Sequence, residues 1–173
     1  MNAGNLGGYI NGEHNLSDRG SAWVADSAQI SGNAHVSGDA RVSDNTVVSG
    51  NAEVFGEGWV SGDAQVTGSA KVAEKAQVTD RAVIDEHAHI YGSSHVSGRV
   101  RARGRAQVFG KARASRNATV VGEAQVFGVA WISGDARIYG RARVFDNATV
   151  QITPGSPSRL ASTATPKYAA MPV

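Results

Sequence analysis

An aliphatic residue recurs at every sixth position from Val24 to Val150 without one insertion or deletion, and of these twenty-two positions only 102 and 114 carry alanine instead of valine or isoleucine. Two residues before each stands a small residue, usually alanine (Ala22, Ala28, Ala34, Ala40), and two residues after it usually glycine (Gly32, Gly38, Gly50). Asn or Asp often follows the glycine, as at Asn33, Asp39 and Asn51. Within each unit, A-x-V-x-G-[ND], the alternation has period two, so the Ala and Val side chains point one way and the x residues the other. The Gly-[ND] pair turns the chain, because these residue types best tolerate positive φ. A short strand and a turn every six residues, repeated this regularly, predict a coil of three strands and eighteen residues, with coils stacked about 4.8 Å apart. Twenty-two units make a little over seven coils, a prism roughly 35 Å long at that spacing.

Residues 1–21 precede the regular units and hold Leu6, Tyr9, Ile10 and Leu16, enough apolar side chains for an N-terminal cap on the exposed solenoid end. Residues 22–152 are the repeats, and residues 153–173 form a Pro-, Ser- and Thr-containing tail with all four prolines of the chain. Glycine falls one position later than in the common hexapeptide unit, as in Val36-Ser37-Gly38-Asp39. With Leu6-Gly7-Gly8-Tyr9-Ile10, Asn15-Leu16-Ser17 and Ala22-Trp23-Val24, this variant resembles the YdcK-like hexapeptide-repeat proteins, often encoded by phages and prophages. The resemblance spans residues 4–152 and implies an all-β fold, a single-stranded left-handed parallel β-helix; the handedness comes from the resemblance and not from the period. Proteins of this type often trimerise, but the resemblance says little about activity.

Eighteen residues per coil also sort the outward positions into columns. One column runs Ser37, Phe55, Ala73, Tyr91, Phe109, Phe127, Phe145, with aromatic residues in four consecutive coils. The column across the next corner runs Trp23, Arg41, Trp59, Gln77, His95, Arg113, Trp131, Thr149 and contains every tryptophan of the chain. Together they predict an aromatic and cationic ridge along one edge of the prism. Stacked aromatic rings stabilise neighbouring coils on their own account, and an apolar stripe rimmed by polar residues also marks a protein contact. The expected partner is a second or third copy of the chain, as a dimer or trimer.

Net charge is +2, but its distribution is lopsided. Up to residue 98 there are five Lys and Arg against twelve Asp and Glu, and from Arg99 onward twelve against three. Arg99, Arg101, Arg103, Arg105, Lys111 and Arg116 are candidate anion contacts, which keeps a host protein or nucleic acid among the expected partners. The chain has no cysteine, which removes disulfides and thiolate metal sites. No run approaches the roughly 20 apolar residues of a membrane helix, and Met1 to Leu6 have neither the basic start nor the apolar run of a signal peptide. A cytoplasmic protein without membrane contact is expected.

Hexapeptide β-helices include acyltransferases whose general base is a histidine near a loop expelled from the coil. This chain has His14, His35, His87, His89 and His95 but no room for an extruded loop between residues 22 and 152. His87, His89 and His95 sit on different faces or corners and diverge within one subunit, whereas zinc needs three converging nitrogens. No catalytic residue, metal ligand or cofactor is assigned. The reading is a non-catalytic scaffold or interaction module, phage or prophage encoded and self-associating through the ridge. A hexapeptide-type acyltransferase, and a binder of host protein or nucleic acid, are the alternatives.

Overall fold

The computed structural model describes residues 7–153. Leu6 and all of the expected tail beyond Thr153 lie outside the described residues. The chain forms three eight-stranded parallel sheets, and each strand pairs with those three positions before and after it in the chain. This is an all-β solenoid of eight coils. The register is constant at eighteen residues from Trp23 onward: Trp23 faces Arg41, Arg41 faces Trp59, and Gln77 faces His95. Backbone hydrogen bonds run along the axis, as from Gln29 N–H to the Thr46 carbonyl at 2.8 Å and from His95 N–H to the Ala112 carbonyl at 2.9 Å.

The core follows from the alternation. From Ala28 to Ile138 the alanine and valine-type positions are almost without exception fully buried, with Val36, Val72 and Val108 at 0% exposure. Val100 and Ala102, which exchange the usual small and large slots, are equally buried, as is Ala114. Two alanine slots carry hydroxyls instead, and each finds a partner. Thr46 Oγ1 donates to the Ser43 carbonyl at 2.7 Å, and Ser94 Oγ to the Tyr91 carbonyl at 2.8 Å, so neither buried polar atom is left unpaired.

Two features differ from the expectation. The first is the coil count, because the segment read as a cap also supplies strands. Tyr9–Ile10 pairs with Gln29–Ile30, and Leu16–Gly20 with His35–Gly38. Ile10 and Leu16 stand six residues apart, but Val24 follows Leu16 by eight, and the partner of Leu16 is Val36, twenty residues on, whereas that of Gly20 is Gly38. A two-residue bulge therefore separates the first coil from the regular units and hides it from the period. Asn15 completes this end: buried, it accepts from Gly12 N–H at 2.9 Å and donates to the carbonyls of Gly32 at 3.0 Å and Ala34 at 2.7 Å.

The second concerns the turn. Only the first residue of each Gly-[ND] pair takes positive φ, and where glycine is missing there another residue adopts φ near +60°, as Asp44, Asp80, Glu86 and Arg116 do. The Asn and Asp that follow play another part. They bridge coils side chain to side chain, Asn33 to Asn51 at 3.1 Å, Asn45 to Asp63 at 3.0 Å and Asn117 to Asp135 at 2.9 Å.

Candidate interaction surface

The phenylalanine column stands where the second sheet, which starts at Leu16–Gly20, turns toward the third, which starts at Trp23–Val24. Because consecutive coils repeat the same backbone at the strand-to-strand spacing, side chains of one column lie above one another. Tyr91 and Phe109 stack at 4.8 Å between centroids and 3° between planes, Phe109 and Phe127 at 4.9 Å and 5°, Phe127 and Phe145 at 5.3 Å and 13°. All four are half-buried. Phe55 stands apart from this stack, two coils before Tyr91, with the buried Ala73 between them.

Two neighbours on the second sheet fasten the ladder. The Arg143 guanidinium lies over the Phe127 ring at 4.9 Å and near that of Phe145 at 5.9 Å, a cation–π contact. At the other end His89 packs against Tyr91 with centroids 4.6 Å apart. Burial pulls the His89 imidazole below its usual range, helped by the Lys71 ammonium, and its Nε2 is buried without a hydrogen-bond partner. Burial, then Glu74, pushes the Tyr91 phenol up.

The tryptophan column is different in kind. Trp23, Trp59 and Trp131 are 56%, 44% and 44% exposed, and none stacks on another ring among the described residues. Between them in register come Arg41, then Gln77, His95 and Arg113. Neither Arg41 nor Arg113 has a carboxylate within ion-pair distance among the described residues. The Trp131 indole N–H donates to Ser115 Oγ at 3.2 Å, which lays the ring along its own sheet, away from the phenylalanine stack. Ser61 and Ser133, on the other flank of the column, are buried, so this side of the face is low.

Two open depressions lie on this face. One, of about 750 Å³, is lined by Gln77, His95, Ser97, Lys111, Arg113 and Trp131; the other, of about 580 Å³, by Asp39, Arg41, Glu57, Trp59 and Gln77. The face is rimmed at the corner by Asp39, Glu57, Lys75, Lys111 and the half-exposed Val129; of these only Lys111 was expected as a contact, and that as an anion contact and not as part of the ridge. The signal was present, since sorting by eighteen places them in one column, two residues before the tryptophan column. The same sorting puts Arg143 beside Phe127 and Phe145.

The basic residues do not converge. Arg99 and Arg116 stand at the corner between third and first sheets, Arg101 on the first sheet, Arg105 beyond it and Lys111 at the aromatic corner. Arg103 is engaged within the chain, with Asp85 and Glu86 each at 3.3 Å. The histidines are equally dispersed. His14 Nε2 meets the Gly32 carbonyl at 2.9 Å, and His35 Nδ1 the His14 carbonyl at 2.7 Å. Among the described residues no three His, Asp or Glu side chains are grouped so as to hold a metal ion, and no helix is long and apolar enough to cross a membrane.

No curated protein and no solved structure matches the chain. A family model does: the YdcK β-solenoid repeat matches residues 28–43 and 34–50. Those residues hold Val36, Val42 and Val48, aliphatic positions whose side chains fill the core, so the match and the eight coils agree on a repeat β-solenoid.

Proposed function

We propose that this solenoid is a non-catalytic scaffold or protein-interaction module that self-associates through the aromatic edge formed by its second and third sheets. One observation carries the reading: of the six large apolar residues exposed among the described residues, four, Trp23, Trp59, Val129 and Trp131, belong to one face and its rim, while Tyr9 and Ile10 lie on the terminal strand of the first sheet. Exposed apolar side chains gathered on one face and bordered by polar groups are the usual mark of a protein contact, and tryptophan and arginine lead among residues that dominate such contacts. The phage or prophage setting is carried over from the sequence resemblance, and the repeat-model match supports the solenoid class to which that resemblance points. Size-exclusion chromatography with light scattering tests the reading on the wild-type chain and on Trp59→Ser, Trp131→Ser. The wild type is expected to run as a dimer or trimer and the variant as a monomer at the same concentration. A wild-type monomer throughout the accessible concentration range overturns the proposal.

A further inference from the structure

We infer that the tryptophan face pairs with the same face of a second copy in antiparallel orientation, about a two-fold axis lying along the strand direction between the coils of Gln77 and His95. This rests on the self-association proposed above and names its geometry. From first coil to last, the column reads Trp23, Arg41, Trp59, Gln77, His95, Arg113, Trp131, Thr149. Set against its own reverse, it places Trp59 opposite the second copy's Arg113, Arg41 opposite Trp131, Gln77 opposite His95 and Trp23 opposite Thr149. Every indole away from the ends meets a guanidinium that has no carboxylate of its own among the described residues, the pairing in which cation and ring face attract.

The rim obeys the same operation, since a two-fold axis along the strands keeps each column opposite itself. Glu57 falls opposite Lys111, Asp39 opposite Val129 and Lys75 opposite Ser93, so no like charges meet. The depressions exchange as well. Trp59 of one copy enters the larger depression, at the level of Arg113, and Trp131 enters the smaller one, at the level of Arg41. A parallel two-fold arrangement of the same face would instead set Arg41 level with Arg41 and Arg113 level with Arg113. Eight coils at the usual strand spacing by about 15 Å of face width give about 500 Å² a side, near the lower bound for a specific interface.

The chain has no native cysteine, so engineered thiols report the register directly. Glu57→Cys and Lys111→Cys, both at exposed positions, are prepared separately, mixed at a concentration where the wild type is associated, and treated with a bis-maleimide that spans about 10 Å, the spacing of sheets packed face to face. The expected product is the mixed cross-link, because only opposed residues lie within that reach. Neither variant alone should cross-link, because residue 57 lies about three coils, roughly 14 Å, from its own mate. In parallel, Glu57→Lys is expected to weaken association about tenfold or more, and adding Lys111→Glu to restore it. Self-cross-linking of Glu57→Cys, or failure of the second charge change to rescue, overturns the antiparallel register while leaving self-association standing. A wild-type chain that is monomeric by light scattering, its face then serving some other partner, overturns both.

Discussion

The stacked column from Tyr91 to Phe145 and the tryptophan column one corner away hold comparable aromatic area but direct it differently. In the first, each ring covers its neighbour and a guanidinium closes over one end, so the area is used within the chain and the rings are half-buried. In the second, polar and cationic residues interrupt the indoles and keep them apart, and each remains 44% exposed or more. Continuity of a column lets it stabilise its own fold, whereas interruption leaves surface for a partner. The same backbone thus yields a brace on one side of a corner and an exposed aromatic face on the other.

This contrast breaks first at the brace. Phe109→Ser with Phe127→Ser removes two half-buried rings and the stack between them, and is expected to lower unfolding stability by about 3 to 4 kcal/mol, read by urea denaturation monitored by circular dichroism. Self-association should survive wherever the variant remains folded. Trp59→Ser with Trp131→Ser should reverse the pattern. Its unfolding stability is expected to move by less than about 1 kcal/mol, while association weakens by about 2 kcal/mol or more. A urea midpoint falling as far as that of the phenylalanine pair would erase the distinction between the columns.

Smaller effects sharpen it. Arg143→Ala takes the cation off Phe127 and should cost about 0.5 to 1 kcal/mol, with no change in oligomeric state. At the other end of the stack, burial holds the folded pKa of His89 below its usual 6.5. As pH falls from 6.5 through that lower value, the unfolded chain takes up a proton that the folded chain resists. The stability carried by neutral His89 is therefore present above this window and lost on descending through it. Thermal melts between pH 8 and 5 should show the loss in the wild type and a shallower one in His89→Gln. Equal slopes would remove His89 from the brace.

Most of the fold was legible in the sequence because a solenoid core is made locally. The same Ala and Val that set the period fill the interior, and sorting by eighteen recovers the pairing register, as with Gln77 and His95. The first coil was not legible, since its two-residue bulge between Leu16 and Gly20 breaks the step on which the reading depended. Columns were legible, but side-chain direction was not. Nothing in the spacing says that Trp131 bonds to Ser115 rather than leaning on the phenylalanines, or that Arg103 is engaged by Asp85 and Glu86. Those outcomes depend on which neighbours one coil away carry a hydroxyl or a charge, a choice independent of the hydrophobic period.

The constant eighteen-residue offset also bears on how such a rod can change through time. Most side-chain bridges between coils join residues one coil apart, as Lys71 to Glu53 and Arg141 to Glu123 do, so eighteen consecutive residues form a cassette. Losing or duplicating one rejoins the period in frame and alters length by one step of about 4.8 Å. A change that is not a whole coil has to be taken up by a bulge, as between Leu16 and Gly20, or it turns the later inward side chains out. Length can therefore evolve in quantised steps that leave the core unaffected, and each step taken between Trp59 and Trp131 slides them relative to each other like marks on a ruler.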